Sequence, residues 1–157
     1  MKVLFVCLGN ICRSPAAEGI FRQMAREKGL SEKVGHDSAG TGNWHAGEPP
    51  DARMIAHAKE RGYDLRDLRA RSFNPEKDFQ NFDLILTMDD SNFMNVCSFA
   101  TAKEHLEKVK RMTSYCKIHD VDVVPDPYHQ GFDGFELVLD ILEDACEQLL
   151  QEIKAKV

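Results

Sequence analysis

The segment KVLFVC (residues 2–7) is apolar at nearly every position, and LGNICRSP, which follows it directly, is not. An apolar run of this length, rich in β-branched and aromatic residues and without alternation, reads as a strand buried on both faces. Such strands belong to parallel sheets covered by helices on each side. From Ser14 the spacing changes. Ser14 is a capping residue type, Pro15 suits a first helical position, and Ala16, Ile20 and Met24 keep helical spacing until Gly29. The chain therefore opens as strand, tight loop, helix.

The same alternation continues downstream. A second strand is read around VGHDSAG (34–40), followed by Gly/Pro-rich GTGNWHAGEPP and a helix from Pro50 to about Arg61. DLILTM (83–88) reads as a buried strand leading through DDSNFMNV into a loop and helix start, and KVKRMTSY (108–115) as a weaker strand. In the last segment Val138, Leu142, Ala145, Leu149 and Ile153 share one stripe of a long amphipathic helix with an acidic outer face. Strands alternating with helices predict an α/β fold, a parallel sheet wrapped on both faces with ligands bound at the carboxyl ends of its strands. CLGNICR lies at that edge.

Composition narrows the function classes. The 157 residues suit a single domain spanning 1–157, and no repeat or linker interrupts them. A formal net charge of −6 argues against a nucleic-acid binder, because that affinity comes mainly from Lys and Arg neutralising phosphates. No apolar run approaches the roughly 20 residues of a membrane span. The opening residues resemble a signal peptide only superficially, since Arg13 stands where a small-residue cleavage site belongs. Five cysteines without a secretion signal point to a reducing compartment, the cytoplasm by default. CKIH (116–119) offers one Cys and one His at ligand-like spacing without a second pair, so neither metal nor cofactor is expected. Arg61, Arg66, Arg69 and Arg71 are interleaved with Asp and Glu and read as a solvated face.

The loop between Cys7 and Arg13 holds five residues, and each part has a use. Gly9 and Asn10 tolerate positive φ, which lets successive backbone N–H groups converge as an anion-binding nest, and the helix N-terminus adds its positive end. Arg13 supplies a planar fork for two oxygens of a phosphate and keeps its charge. The same field stabilises a thiolate at Cys7, and Ser14 can donate a hydrogen bond to it. A thiolate beneath a bound phosphate is placed for in-line attack on phosphorus. Without that context Cys7 reads as a core cysteine and Arg13 as a surface charge.

CLGNICRSP near the amino terminus and DPY near the carboxyl end together resemble the low-molecular-weight protein tyrosine phosphatases, and the likeness continues through DSAGT, MDDSN and the terminal helix. The resemblance implies a three-layer α/β fold, phosphotyrosine phosphatase I-like with Rossmann-like topology, in which a four-stranded parallel sheet carries helices on both faces. It also implies hydrolysis of phosphotyrosine and other aryl phosphates through a phosphocysteine intermediate. Cys7 is then the nucleophile and Arg13 the phosphate clamp. Asp126, held between two prolines in VVPDPYHQG, becomes the acid that protonates the leaving phenolate and afterwards activates water. Leu8, Gly9, Asn10, Ile11, Cys12 and Ser14 form the substrate-binding loop, with Trp44 and Tyr128 as aromatic walls. Trp44 equally suits packing.

In the family Asn10 and Ser38 belong to a hydrogen-bond network behind the loop that many members complete with a histidine. Leu68 stands at that place here, so the network is shortened or uses another partner. His129 stands where some members carry a second aromatic residue. Cys12 is the family's second loop cysteine, either a thiol that traps an oxidised Cys7 as a disulfide or a small residue filling the loop's underside. The implied partner is a tyrosine-phosphorylated protein, with a tyrosine kinase alongside, and the chain is expected to act as a monomer. Thiol-dependent arsenate reduction on this scaffold needs further cysteines after the third strand, where MDDSNFMNVCS has only Cys97. A non-hydrolytic phosphocysteine carrier would gain nothing from an acid at Asp126.

Overall fold

The computed structural model describes residues 1–157. Four strands, β1 (Lys2–Cys7), β2 (Gly35–Gly40), β3 (Leu84–Thr87) and β4 (Val109–Arg111), form one parallel sheet in the order β2-β1-β3-β4. Around it lie α1 (Arg13–Glu27), α2 (Ala52–Glu60), α3 (Pro75–Asn81), α4 (Asp90–Ser98), α5 (Lys103–Lys108) and α6 (Phe132–Lys156).

The pleat of β1 explains the three layers. Val3, Phe5 and Cys7 face one way, into a core shared with α1, α2 and α6, and Leu4 and Val6 face the other, against Phe79 of α3 and Val96 of α4. Both sides are dry, as the uninterrupted apolar run predicts. On α6 the whole predicted stripe, from Val138 to Ile153, is buried, packed against α1 in the core that also holds side chains of β1 and β3. Each side chain of that size gains roughly 1.5–3 kcal/mol on leaving water, which makes this stripe the main attachment of the carboxyl-terminal helix. Its polar flank is bound as well. Arg61, just past α2, donates to Glu136, Asp140 and Glu143, and Tyr63 donates to Glu143 at 2.6 Å.

Several local expectations need correction. The strand read at 108–115 is only Val109–Arg111, and Met112–Tyr115 forms a 3₁₀ turn. Helix α1 begins at Arg13 with Cys12 at its N-cap and no side-chain cap; Ser14 lies inside the first turn, its hydroxyl meeting Asn10 and Cys7. Two helices, α3 and α5, are additional to the predicted elements. The four arginines are not one solvated face, since Arg61 clamps α6 and Arg71 is half-buried in a carboxylate cluster.

The topology fixes where a ligand can sit. From β1 the chain leaves through α1 toward β2, and from β3 through α4 toward β4 on the opposite side. The two connections diverge and open a crevice beyond the carboxyl ends of β1 and β3. Cys7 ends β1 at that crevice.

Candidate active site

The segment from Leu8 to Cys12 wraps over the end of β1 before α1 begins. Its turn depends on Asn10, at φ 58°, while Gly9 does not adopt positive φ, so only one of the two expected positions uses that conformation. A non-glycine residue there needs local support. Asn10 Nδ2 donates to Ser14 Oγ at 2.7 Å and to Ser38 Oγ at 3.0 Å, and its Oδ1 accepts from the Arg71 backbone N–H at 2.9 Å. Arg71 thus takes the place left open behind the loop, and Leu68 packs against the core instead. Gly40, at the end of β2, allows the close approach: a Cβ there would lie 2.7 Å from the Leu8 carbonyl oxygen. Ser14 Oγ is 3.0 Å from Cys7 Sγ. Asn10 and Ser14 are buried behind the loop and do not line the cleft.

Arg13 enters the crevice from the first turn of α1 and is 3% exposed. Its Nη1 donates to Asp89 Oδ2 at 2.7 Å and to the Val124 carbonyl at 3.1 Å, and Nη2 lies 3.9 Å from Asp126 Oδ2. Burial by itself weakens the guanidinium's hold on its proton, but Cys7, Asp89 and Asp126 outweigh it and push the Arg13 pKa up. Asp89 is rigid because it also caps α4, accepting from the Asn92 N–H while the Asn92 side chain accepts from the Asp89 N–H. The sequence reading did not single out Asp89. Its signal is an Asp directly after a buried strand with Asn three residues on, a reciprocal cap that fixes a carboxylate at the crevice.

The opposite wall comes from the segment before α6. The Val124 N–H donates to the Met88 carbonyl at 2.7 Å, which ties this segment to the end of β3. Asp126 accepts from the Tyr128 N–H at 3.0 Å and leaves its side chain 48% exposed at the mouth. Tyr128 is braced from outside by Arg53, whose guanidinium carbon lies 5.3 Å from the ring centroid. Together with Leu8 and Trp44, which is 68% exposed, it walls a cleft of about 240 Å³. That is below the ~300–1,000 Å³ typical of drug-sized ligands and suits one compact group. Cys7, Arg13 and Asp126 all line it, as do Gly9, Ile11 and Cys12.

Two further lining residues were not predicted as site residues. His45 is held through Nδ1 at 2.5 Å from Glu48 Oε2, and His129 packs edge-on to Tyr128. His129 directly follows the DPY motif, where its place beside Tyr128 was visible, whereas His45 stands in the Gly/Pro-rich stretch outside either motif. Cys12 is a free thiol whose pKa is pushed well up, by burial first and then by Asp51, Cys7 and Asp126. No group of three or more His, Cys, Asp or Glu side chains is placed to hold a metal ion. No helix is long and apolar enough to cross a membrane.

Comparison with known proteins places the cleft in context. The family described as "Low molecular weight phosphotyrosine protein phosphatase" matches residues 2–157. A putative low molecular weight protein-tyrosine-phosphatase of Synechocystis is 50% identical over 98% of this chain and 96% of its own. The Bacillus subtilis low molecular weight protein-tyrosine-phosphatase YfkJ is 43% identical over 98% and 96% respectively. The crystal structure of a protein tyrosine phosphatase from Entamoeba histolytica superposes with a TM-score of 0.95 at 42% identity, covering 99% of this chain and 98% of that one.

Proposed function

The chain belongs to the low molecular weight phosphotyrosine protein phosphatase family, and we propose from its cleft that Cys7, Arg13 and Asp126 carry the hydrolysis. The observation that supports this most directly is the arrangement around one small space: Cys7 Sγ beside Ser14 Oγ at its base, Arg13 at its side and Asp126 at its mouth. The substrate phosphate sits in the loop against Arg13. Cys7 Sγ attacks phosphorus in line, so that an S–P bond forms as the P–O bond to the phenol breaks. The departing oxygen takes the Asp126 proton. Asp126, now a carboxylate, accepts a proton from water as that water attacks phosphorus, and the S–P bond breaks to return the thiolate. Ser14 Oγ donates to the thiolate whenever it is free.

Leu8, Ile11, Trp44 and Tyr128 give the cleft apolar and aromatic walls, which suit a flat phenyl ring carrying the phosphate. The physiological substrate is a tyrosine-phosphorylated protein, and a tyrosine kinase that makes it is the matching partner. We assign the chain to a reducing compartment, the cytoplasm, on the strength of five free cysteines.

The test is turnover of p-nitrophenyl phosphate in chelator and reductant. Wild type should turn over, while Cys7→Ser should lose activity and still bind tungstate, because Arg13 and the loop remain. Substantial hydrolysis by Cys7→Ser removes Cys7 from the nucleophile role. Stoichiometric phosphate labelling of wild type without turnover makes the chain a carrier.

A further inference from the structure

The conformation of the phosphate loop rests on Asn10, and two of the groups that hold Asn10 are governed by one side chain. Arg71 presents its backbone N–H to Asn10 Oδ1. Its guanidinium is fixed by four directed contacts: Nε to Asp37 Oδ2 at 3.0 Å, Nη1 and Nη2 to the two carboxylate oxygens of Asp78 at 3.0 and 3.1 Å, and Nη1 also to the Ser72 carbonyl at 3.2 Å. Asp78 is 4% exposed and also accepts from the Asn74 N–H at 2.7 Å. Asp37 precedes Ser38, whose backbone N–H it accepts at 2.8 Å and whose hydroxyl accepts from Asn10 Nδ2. The Arg71 carbonyl in turn accepts from Gly40 N–H at 2.8 Å, where β2 passes under the loop. Both polar ends of the Asn10 amide therefore lead to Arg71, one through its own backbone and the other through Asp37 and Ser38.

We infer that Arg71 is a positioning residue for the hydrolysis, holding Asn10 in its left-handed conformation and thereby the phosphate loop in its binding shape. The residue touches neither Cys7 nor the cleft. The Asp78 and Asp37 contacts tie α3 to β2, and the Arg71 backbone N–H, together with the Asp37–Ser38 link, carries that tie on to Asn10 in the loop. Directed contacts from one planar group to two separate carboxylates also explain why arginine stands here, since an ammonium cannot make them together.

This inference rests on the Cys7 phosphatase reading, and wild-type turnover with its loss in Cys7→Ser tests that reading separately. The experiment is a double-mutant cycle of Arg71→Met and Asn10→Ala, read as kcat/KM on p-nitrophenyl phosphate and as the inhibition constant of inorganic phosphate. All assays run at a temperature where circular dichroism shows each variant folded. Arg71→Met alone should lower kcat/KM about tenfold and weaken phosphate inhibition comparably, and in the Asn10→Ala background it should cost less than about twofold more. Thermal stability should fall by similar amounts in both backgrounds, because the Asp78 pair is lost in each. Lost stability with unchanged kinetics, or a full tenfold loss in both backgrounds, overturns the inference. Should Arg71→Met not fold, Asp37→Asn replaces it in the same cycle, since it keeps the Asp78 pair. About a threefold kinetic loss that vanishes in the Asn10→Ala background supports the inference, and any other result overturns it.

Discussion

A guanidinium that is 3% exposed must be surrounded by acceptors, and those of Arg13 come from two separate segments, at Asp89 after β3 and at Val124 and Asp126 ahead of α6. This arrangement couples the anion clamp to the proton donor, so their roles have to be separated by chemistry rather than by contact. Asp126→Ala is expected to lose about 10²–10⁴-fold in kcat on aryl phosphates with basic leaving groups and progressively less as the phenol becomes more acidic. A series of substituted phenyl phosphates measures this, and an equal loss along the series assigns Asp126 to positioning. Burial, with Asp51, Cys7 and Asp126 nearby, pushes the Cys12 pKa up, so its thiolate fraction rises with pH throughout the working range. If it traps a Cys7 sulfenic acid, the trapping rate after peroxide should increase with pH, and Cys12→Ser should lose activity that dithiothreitol cannot restore. Intact mass shows the two-dalton loss of the disulfide. Cys7, Arg13 and Ser14 were legible because their chemistry is compressed into one contiguous loop. The Asp89 cap had a local signal, but its meeting with Arg13 did not, since the two lie 76 residues apart in sequence. Arg71 looked like surface charge for the same reason, its acceptors Asp37 and Asp78 being visible only once β2 and α3 come together.

Among the helices, long period and strong caps decide what a sequence reveals. The 25-residue α6 repeats its apolar stripe often enough to be unmistakable, whereas α3 and α5, with seven and six residues, complete at most two turns. For α3 the signal lay in its start, Asn74 capping with Pro75 at the first position. The attachment of α6 has a polar counterpart to its apolar stripe. Asp144 accepts from the backbone N–H groups of Lys117, Ile118 and His119 and from the His119 ring, pinning the segment after the 3₁₀ turn. Burial opposes its ionisation, but these donors prevail and lower its pKa from 3.8 to about 2. A carboxyl depressed on folding stabilises the fold above its unfolded value, and that contribution is lost as pH falls through the folded value. The expected contribution near neutrality is about 2 kcal/mol. Asp144→Asn should therefore melt below wild type at pH 7, with the gap narrowing as pH drops from about 4 toward about 2. A constant gap would trace the loss to packing.

Across the whole molecule, the sheet order places the two halves of the chemistry on different strands. Cys7 ends β1 and Arg13 follows it, Asp89 follows β3, and Asp126 stands just ahead of the last helix. The Arg13–Val124 contact spans 111 residues of sequence. Contacts this distant form late, because loop-closure entropy must be overcome before they contribute. A growing chain on the ribosome thus carries its nucleophile before Asp89, the partner of its clamp, and carries both before the proton donor Asp126. Hydrolytic activity becomes a report on complete folding. In refolding from urea, recovery of p-nitrophenyl phosphate turnover should coincide with the slowest phase that restores native near-ultraviolet circular dichroism, and activity regained in an earlier phase would mean that the amino-terminal loop works without its distant supports.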